Sequence, residues 1–172
     1  MSNSLVYAHV VQMTKMLKNL DRWLDKAVDH AKAKNFDPQN YLELRLAPDM
    51  LPFKNQIQNV CDGVKFLAAR LSGKEPPKHP DTETTFEQLR ARVRTVLEYL
   101  TTFTSADFAN AETRTVSLGF MPGKGLAGQD FLLEMNLPNT YFHLCMTYAL
   151  LRHNGVDLGK MDYIGSLNLT DV

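Results

Sequence analysis

The feature that most constrains this chain is the three-and-four spacing of its apolar residues in three separate stretches. Between Leu5 and Ala33, the residues Leu5, His9, Met13, Met16, Leu20, Trp23 or Leu24, Ala27 and Ala31 recur on one side. Lys15, Lys18, Asp21, Arg22, Asp25, Lys26 and Asp29 fill the other. A period near 3.6 collects such residues on one face of an amphipathic helix. Phe53, Ile57, Val60, Val64, Leu67 and Leu71 repeat the pattern, as do Phe86, Leu89, Val93, Val96, Leu100 and Phe103. Each stripe needs a partner face, which makes packing of helix on helix the natural solution.

The residues between the stripes support the same boundaries. Ser2 and Ser4 are available as N-caps of the first helix, and Phe36-Asp37-Pro38 ends it because proline lacks a backbone donor. Asp49 and Pro52 suit the start of the second helix, and Ser72-Gly73 suits its end. Pro76-Pro77-Lys78-His79-Pro80 reads as a stiff connector, and Thr84 with Glu87 reads as a capping box for the third helix. From Thr113 to Leu118 the pattern changes to β-branched alternation, followed by a turn at Met121-Pro122-Gly123-Lys124-Gly125. Asp130–Met135 can add a helical turn, and a fourth helix is expected from Asn136 as cap, with Pro138 in its first turn, to about Asn154, where Gly155 ends it. The tail beyond reads as loosely ordered. The expected fold is all-α, a four-helix bundle in a single domain over 1–172. A short β-hairpin or irregular insert separates helices 3 and 4.

Charge narrows the partners. The 172 residues carry 19 Lys+Arg against 19 Asp+Glu, so the chain lacks the basic excess that nucleic-acid binding or a polybasic membrane surface requires. No apolar run reaches the ~20 residues of a membrane span, and the N-terminus has no signal-peptide pattern, so a cytoplasmic protein is expected. Cys61 and Cys145 both fall in apolar helical patterns and read as small buried hydrophobes. The arginines of the third helix, Arg90, Arg92 and Arg94, read as a solvated face.

The fourth helix departs from the others. It is apolar nearly all round from Tyr141 to Leu151 and should be the most buried, yet Thr140, His143, Thr147 and Asn154 line up on it. That stripe is either a narrow solvent strip or the wall of a polar pocket. His9 interrupts the apolar face of the first helix, either as a hydrogen-bonded core histidine or as a partner for His143 in an acid–base or metal-binding pair. Gln56 flanks the second helix's stripe, whereas Asp62 is rotated roughly 200° from Val60 and Val64, toward solvent. No pair of histidines or carboxylates at i, i+3 or i, i+4 marks a metal site.

Three strings carry a family resemblance: Leu44-Arg45-Leu46-Ala47-Pro48-Asp49-Met50, Leu137-Pro138-Asn139-Thr140-Tyr141-Phe142-His143, and Leu151-Arg152-His153-Asn154-Gly155-Val156 followed by Leu158-Gly159-Lys160. Over nearly its whole length the chain resembles a bacterial domain-of-unknown-function branch of the DinB/YfiT-like metalloenzyme superfamily. The resemblance implies a DinB-like four-helix bundle, often dimeric. In the wider superfamily one histidine of the second helix and an H-x3-H pair of the fourth hold zinc or nickel, and some members transfer low-molecular-weight thiols to electrophiles. Here residues 53–71 contain no histidine. Matching His153 to the pair leaves Ala149 as its mate, and matching His143 leaves Thr147. The three-histidine site is therefore read as degenerate, and any metal would rest on His143, His9 or His153.

The leading expectation is a DinB-like bundle with a small-molecule pocket near His9, His143 and Thr147 and no assigned cofactor. His143 and His9 are its candidate catalytic residues, and Thr147, Thr140, Asn154 and Gln56 its candidate ligand-binding residues. Two other classes stand beside it: a divalent-metal-dependent transferase using a small thiol, and a non-enzymatic dimerising or scaffold protein.

Overall fold

The computed structural model describes residues 5–171, so the Ser2 and Ser4 caps lie outside the described residues. Helix α1 spans Leu5–Ala33, α2 Phe53–Ser72 and α3 Phe86–Leu100, each built on the apolar stripe its spacing predicts. Among the described residues no helix is long and apolar enough to cross a membrane. Helix α2 occupies the middle of the bundle and packs against α1, α3 and the last long helix. Phe53, Phe86 and Tyr41 meet at one end of the bundle, with Phe53 and Phe86 stacked 5.8 Å apart. At the other end Tyr7 meets Phe108, Phe103 packs on Tyr99, and Lys74 Nζ sits over the Phe103 ring.

The helix ends differ from the expectation in two places. At α2 the cap position is Pro52, not Asp49, and no side chain caps it. The incoming loop supplies the acceptors instead: Phe53 N donates to Leu44 O and Lys54 N to Leu42 O. At α3 the capping box is one residue later than Thr84 and Glu87. Thr85 is extended, its hydroxyl accepts from Gln88 N, and the Gln88 side chain returns to Thr85 N. Gly73, at φ 84, closes α2 in the left-handed conformation that glycine permits.

The insert is a two-stranded antiparallel hairpin. Strand β1 (Thr115–Ser117) pairs with β2 (Gly125–Ala127), with Val116 opposite Leu126 and turned into the core. The helical turn at Asp130–Met135 is present and is continuous with the helix after it. A turn, α4 (Gly128–Asp130), runs into a π-helical segment at Phe131–Asn136, and α5 (Leu137–His153) follows without a break. Asn136 is therefore helix interior and not a cap, with φ −68 and ψ −49. Pro138, which has no N–H to give, falls just after the π-helical turn hands over to the α pattern.

Helix α5 is not the most buried helix. It turns Thr140, His143 and Thr147 inward together with Leu144, Leu150 and Leu151, while Phe142 is 49% exposed and Cys145 faces solvent. The tail is not loose either. A short helix, α6 (Lys160–Ile164), docks on α1, where Tyr163 stacks on Trp23 at 5.5 Å and Trp23 Nε1 donates to Asp162 O. Asn19 Nδ2 donates to Tyr163 O, and Lys26 pairs with Asp162.

Arg92, read as a solvated residue, is instead a buried hub whose side chain is 1% exposed. Its guanidinium pairs with Asp81, with Glu83 at 3.0 Å and with Asp62 at 2.7 Å, and it donates to Gln58 O. Lys65, also buried, shares Asp62 at 2.7 Å and donates to His79 Nδ1 at 3.1 Å. These bonds hold the Pro-rich connector against α2 and α3. Burial works against the charge on Glu83, but hydrogen bonds from Arg92 and Gln58 outweigh it and hold its carboxyl below the usual range. Removing one member of a buried ion network leaves the others uncompensated. Arg92→Ala should therefore cost about 3–5 kcal/mol in urea denaturation. A loss under about 1 kcal/mol would show that the connector does not depend on this guanidinium.

Candidate functional site

The candidate site lies along the line where α2 and α5 run antiparallel. Their closest approach is at Gly63, where a Cβ would overlap the Thr140 hydroxyl. The absence of a side chain lets Asn136 Nδ2 reach across and donate to Gly63 O at 2.8 Å. Two turns back along α2, Gln56 meets His143: its Oε1 lies 2.7 Å from His143 Nδ1. Both residues are buried, with His143 7% exposed.

The protonation state of His143 follows from its partner. Gln56 Nε2 donates to Leu51 O at 2.8 Å, so its Oε1 is the atom that faces the imidazole and can only accept. His143 Nδ1 therefore carries the proton and donates. Nε2 keeps its lone pair and makes no hydrogen bond among the described residues. Burial lowers the His143 pKa below its ordinary value, which keeps the ring neutral at pH 7. The arrangement fixes one tautomer of a neutral imidazole, a group able to accept a proton or hydrogen bond through Nε2.

The other candidates distribute as follows. Thr147 Oγ1 donates to the His143 carbonyl at 2.8 Å, so it stays beside the histidine but its proton is used within the helix. Thr140 is fully buried at Gly63, and its hydroxyl has no partner among the described residues. Asn154 lies about 16 Å beyond His143 along the helix axis, donates to Leu150 O, and faces a groove lined by Tyr41 and Leu44. His153 is exposed. His9 is a correction: it is half-exposed, and its Nδ1 contacts Leu5 O of its own helix at 2.8 Å. It belongs to the end of the bundle where Tyr7 meets Phe108, whereas Gln56 and His143 sit at the end marked by Phe53, so the two histidines do not converge.

Asp62 is a second correction. Rotation away from the α2 stripe takes it only partly to solvent: its side chain is 29% exposed and carries both Lys65 and Arg92 on Oδ1. Cys61 is buried and its thiol is pushed up to about 12 by burial, which makes it inert, whereas Cys145 is exposed with Sγ 3.3 Å from Tyr163 Oη. Among the described residues no three His, Cys, Asp or Glu side chains group in a way that could hold a metal ion. At the junction of α2 and α5, Gln56, His143 and Thr147 present one imidazole, already bonded to an amide, which does not fit a three-histidine zinc or nickel centre.

This fold and this α2–α5 junction define a DinB-like helical bundle. The solved structure of a DinB family member protein from Shewanella denitrificans is 45% identical, with a TM-score of 0.91 over 95% of this chain and 93% of that one. Residues 5–164 match the model of DUF1993, a domain of unknown function, and the chain belongs to that family. A comparison with curated proteins finds no match.

Stability should report the neutral imidazoles. His143 is lowered by burial; His79 is lowered by burial and then by Lys65 and Arg92. A histidine whose folded pKa is depressed adds stability that is complete above the unfolded value near 6.5 and is lost as pH falls below it. The urea midpoint should fall between pH 7.5 and pH 5. A His143→Gln/His79→Gln variant should lose less over the same interval; an unchanged slope would exclude these two rings as its source.

Proposed function

We propose that this protein is a small-molecule-binding bundle of the DinB-like superfamily that works without a histidine-held metal and recognises its ligand along the α2–α5 junction. One observation carries the reading: the buried Gln56–His143 hydrogen bond joins the second helix to the last long helix, the two helices from which the superfamily pattern draws its histidines. An amide acceptor there fixes the imidazole tautomer. Such a bond is made without a metal, and it leaves Nε2 as the free basic atom of a polar, buried stripe. His143 then acts as the acceptor or base toward a ligand, with Gln56 as its positioning residue.

The test is metal analysis of protein purified without a histidine tag. Wild type should hold well below one equivalent of zinc or nickel after equilibration with either ion. Gln56→His/Thr147→His rebuilds the superfamily set around His143 and should take up one equivalent. Stoichiometric metal on wild type would sink the reading.

A second reading, a homodimer, is favoured by the inversion of α5. Its polar stripe faces inward, and Phe142 is left on the outside with Leu133 of the preceding π-helical turn. Sedimentation equilibrium should give twice the chain mass at micromolar concentration, and Phe142→Glu should shift it toward monomer. A wild-type monomer at the highest concentration tested would exclude the dimer.

A further inference from the structure

Around Gly63, from Asn59 on its Gln56 side to Arg70 on the other, the α2–α5 junction opens into a cleft of ≈ 230 Å³. At about 30 Å³ of liquid volume per water, that is room for roughly seven or eight waters or one small metabolite. Phe66 of α2 and Phe131 and Met135 of the π-helical turn supply its apolar walls. The π-helical turn is itself informative. Such turns are rare and concentrate at functional sites, and here the segment carries Phe131, Met135 and Asn136 to the cleft together.

The polar groups of the cleft are unevenly satisfied: Asn139 at the rim is exposed, whereas the buried atom that lacks a partner is an acceptor. Asn136 is 5% exposed; its Nδ2 is committed to Gly63 O, and its Oδ1 is buried with no partner among the described residues. Asn59 gives its Nδ2 to Asn55 O, which leaves its carbonyl oxygen without a bond among the described residues. Asp62 takes Lys65 and Arg92 on Oδ1, and its side chain is 29% exposed. The buried acceptor without a donor among the described residues is Asn136 Oδ1; such an atom costs about 1–3 kcal/mol and calls for an N–H group from a ligand, with the part-exposed oxygens of Asn59 and Asp62 beside it.

Arg70 supplies the opposite sign at the rim. Its guanidinium lies over Phe66 and Phe131, at 5.0 and 5.6 Å from the ring centroids, and pairs with no carboxylate among the described residues. Stacking uses the face of the guanidinium and leaves its N–H edge free for an anion.

We propose that this cleft binds a small zwitterion of the amino-acid class. The oxygens of Asn136, Asn59 and Asp62 receive the ammonium group, and Arg70 receives the carboxylate. Phe66, Phe131 and Met135 contact the apolar portion. The proposal rests on the reading of the α2–α5 junction as a ligand-binding region and names its ligand class.

The experiment is a titration of the full chain followed by ¹H–¹⁵N correlation spectra, with three near-isosteric probes: L-phenylalanine, phenethylamine and 3-phenylpropanoate. L-Phenylalanine should give saturable shifts at the Asn59 and Asn136 side-chain amides and the Gly63 backbone amide. Phenethylamine should bind there at least about tenfold more weakly, and 3-phenylpropanoate more weakly still. Arg70→Met, at an exposed position, should weaken L-phenylalanine about tenfold and leave phenethylamine unchanged. Asn136→Leu should weaken both amines while its spectrum remains that of a folded bundle.

The proposal is overturned if 3-phenylpropanoate binds as well as L-phenylalanine, or if Arg70→Met weakens the amine and the zwitterion alike. No saturable shift at the cleft overturns it too. Shifts confined to Gln56 and His143 overturn the cleft but leave the metal-free junction standing. Stoichiometric metal on wild type would overturn that broader reading while the cleft result stood.

Discussion

The contact on which the rest depends is the close approach of α2 and α5 at Gly63. With no Cβ in the way, Thr140 packs against the α2 backbone and Asn136 donates to the Gly63 carbonyl. The close approach sets the register of two antiparallel helices, and the register decides which side chains meet. It sets Gln56 against His143 and opens the Phe66–Phe131 cleft around Gly63. It also leaves Asn136 Oδ1 and Thr140 Oγ1 buried without partners among the described residues. A polar interior of this kind is costly in a core that is otherwise apolar, which is why it concentrates attention as a site.

The second constraint is the central position of α2. Helices with one covered face sort their residues into stripe and solvent, and the spacing of α1 and α3 was readable on that basis. Helix α2 has neighbours on three sides. Residues off its stripe are therefore still enclosed: Gln56 beside the stripe and Gln58 and Lys65 farther round are buried, and Asp62, partly exposed, is held by Lys65 and Arg92. Arg92 of α3 turns into the same enclosure. An amphipathic pattern reports one contact face per helix. It cannot report a second face made of charges that compensate one another, so this network was illegible in the spacing.

Helix α5 shows the converse. Its composition announced a buried helix with an odd polar stripe, and the stripe is what the bundle encloses, while Phe142 and Cys145 face outward. Hydrophobicity alone assigns the wrong side here, because hydrogen bonding to Gln56 and the close approach at Gly63 reward the polar face. His9 failed for a related reason. Periodicity put it on the α1 stripe, but it stands in the second turn, where it is half-exposed and bonds its own helix. The lost superfamily histidines were visible from residue identity; the amide that meets His143 was visible only as a residue flanking the stripe.

The sequence by itself determined the four long helices, an insert of changed periodicity before the last of them and the DinB-like family, because these rest on local periodicity, on proline and glycine, and on strings that survive as written. It also named Gln56, Thr140, His143 and Thr147 as the residues to watch. Only the tertiary structure decided that Gln56 and His143 are partners, that Asp62 and Arg92 belong to one buried charge cluster, and that Asn136 reaches Gly63. Those facts depend on helix register and on how many neighbours each helix has. Both are set by contacts between residues 30 to 87 positions apart, which no local pattern contains.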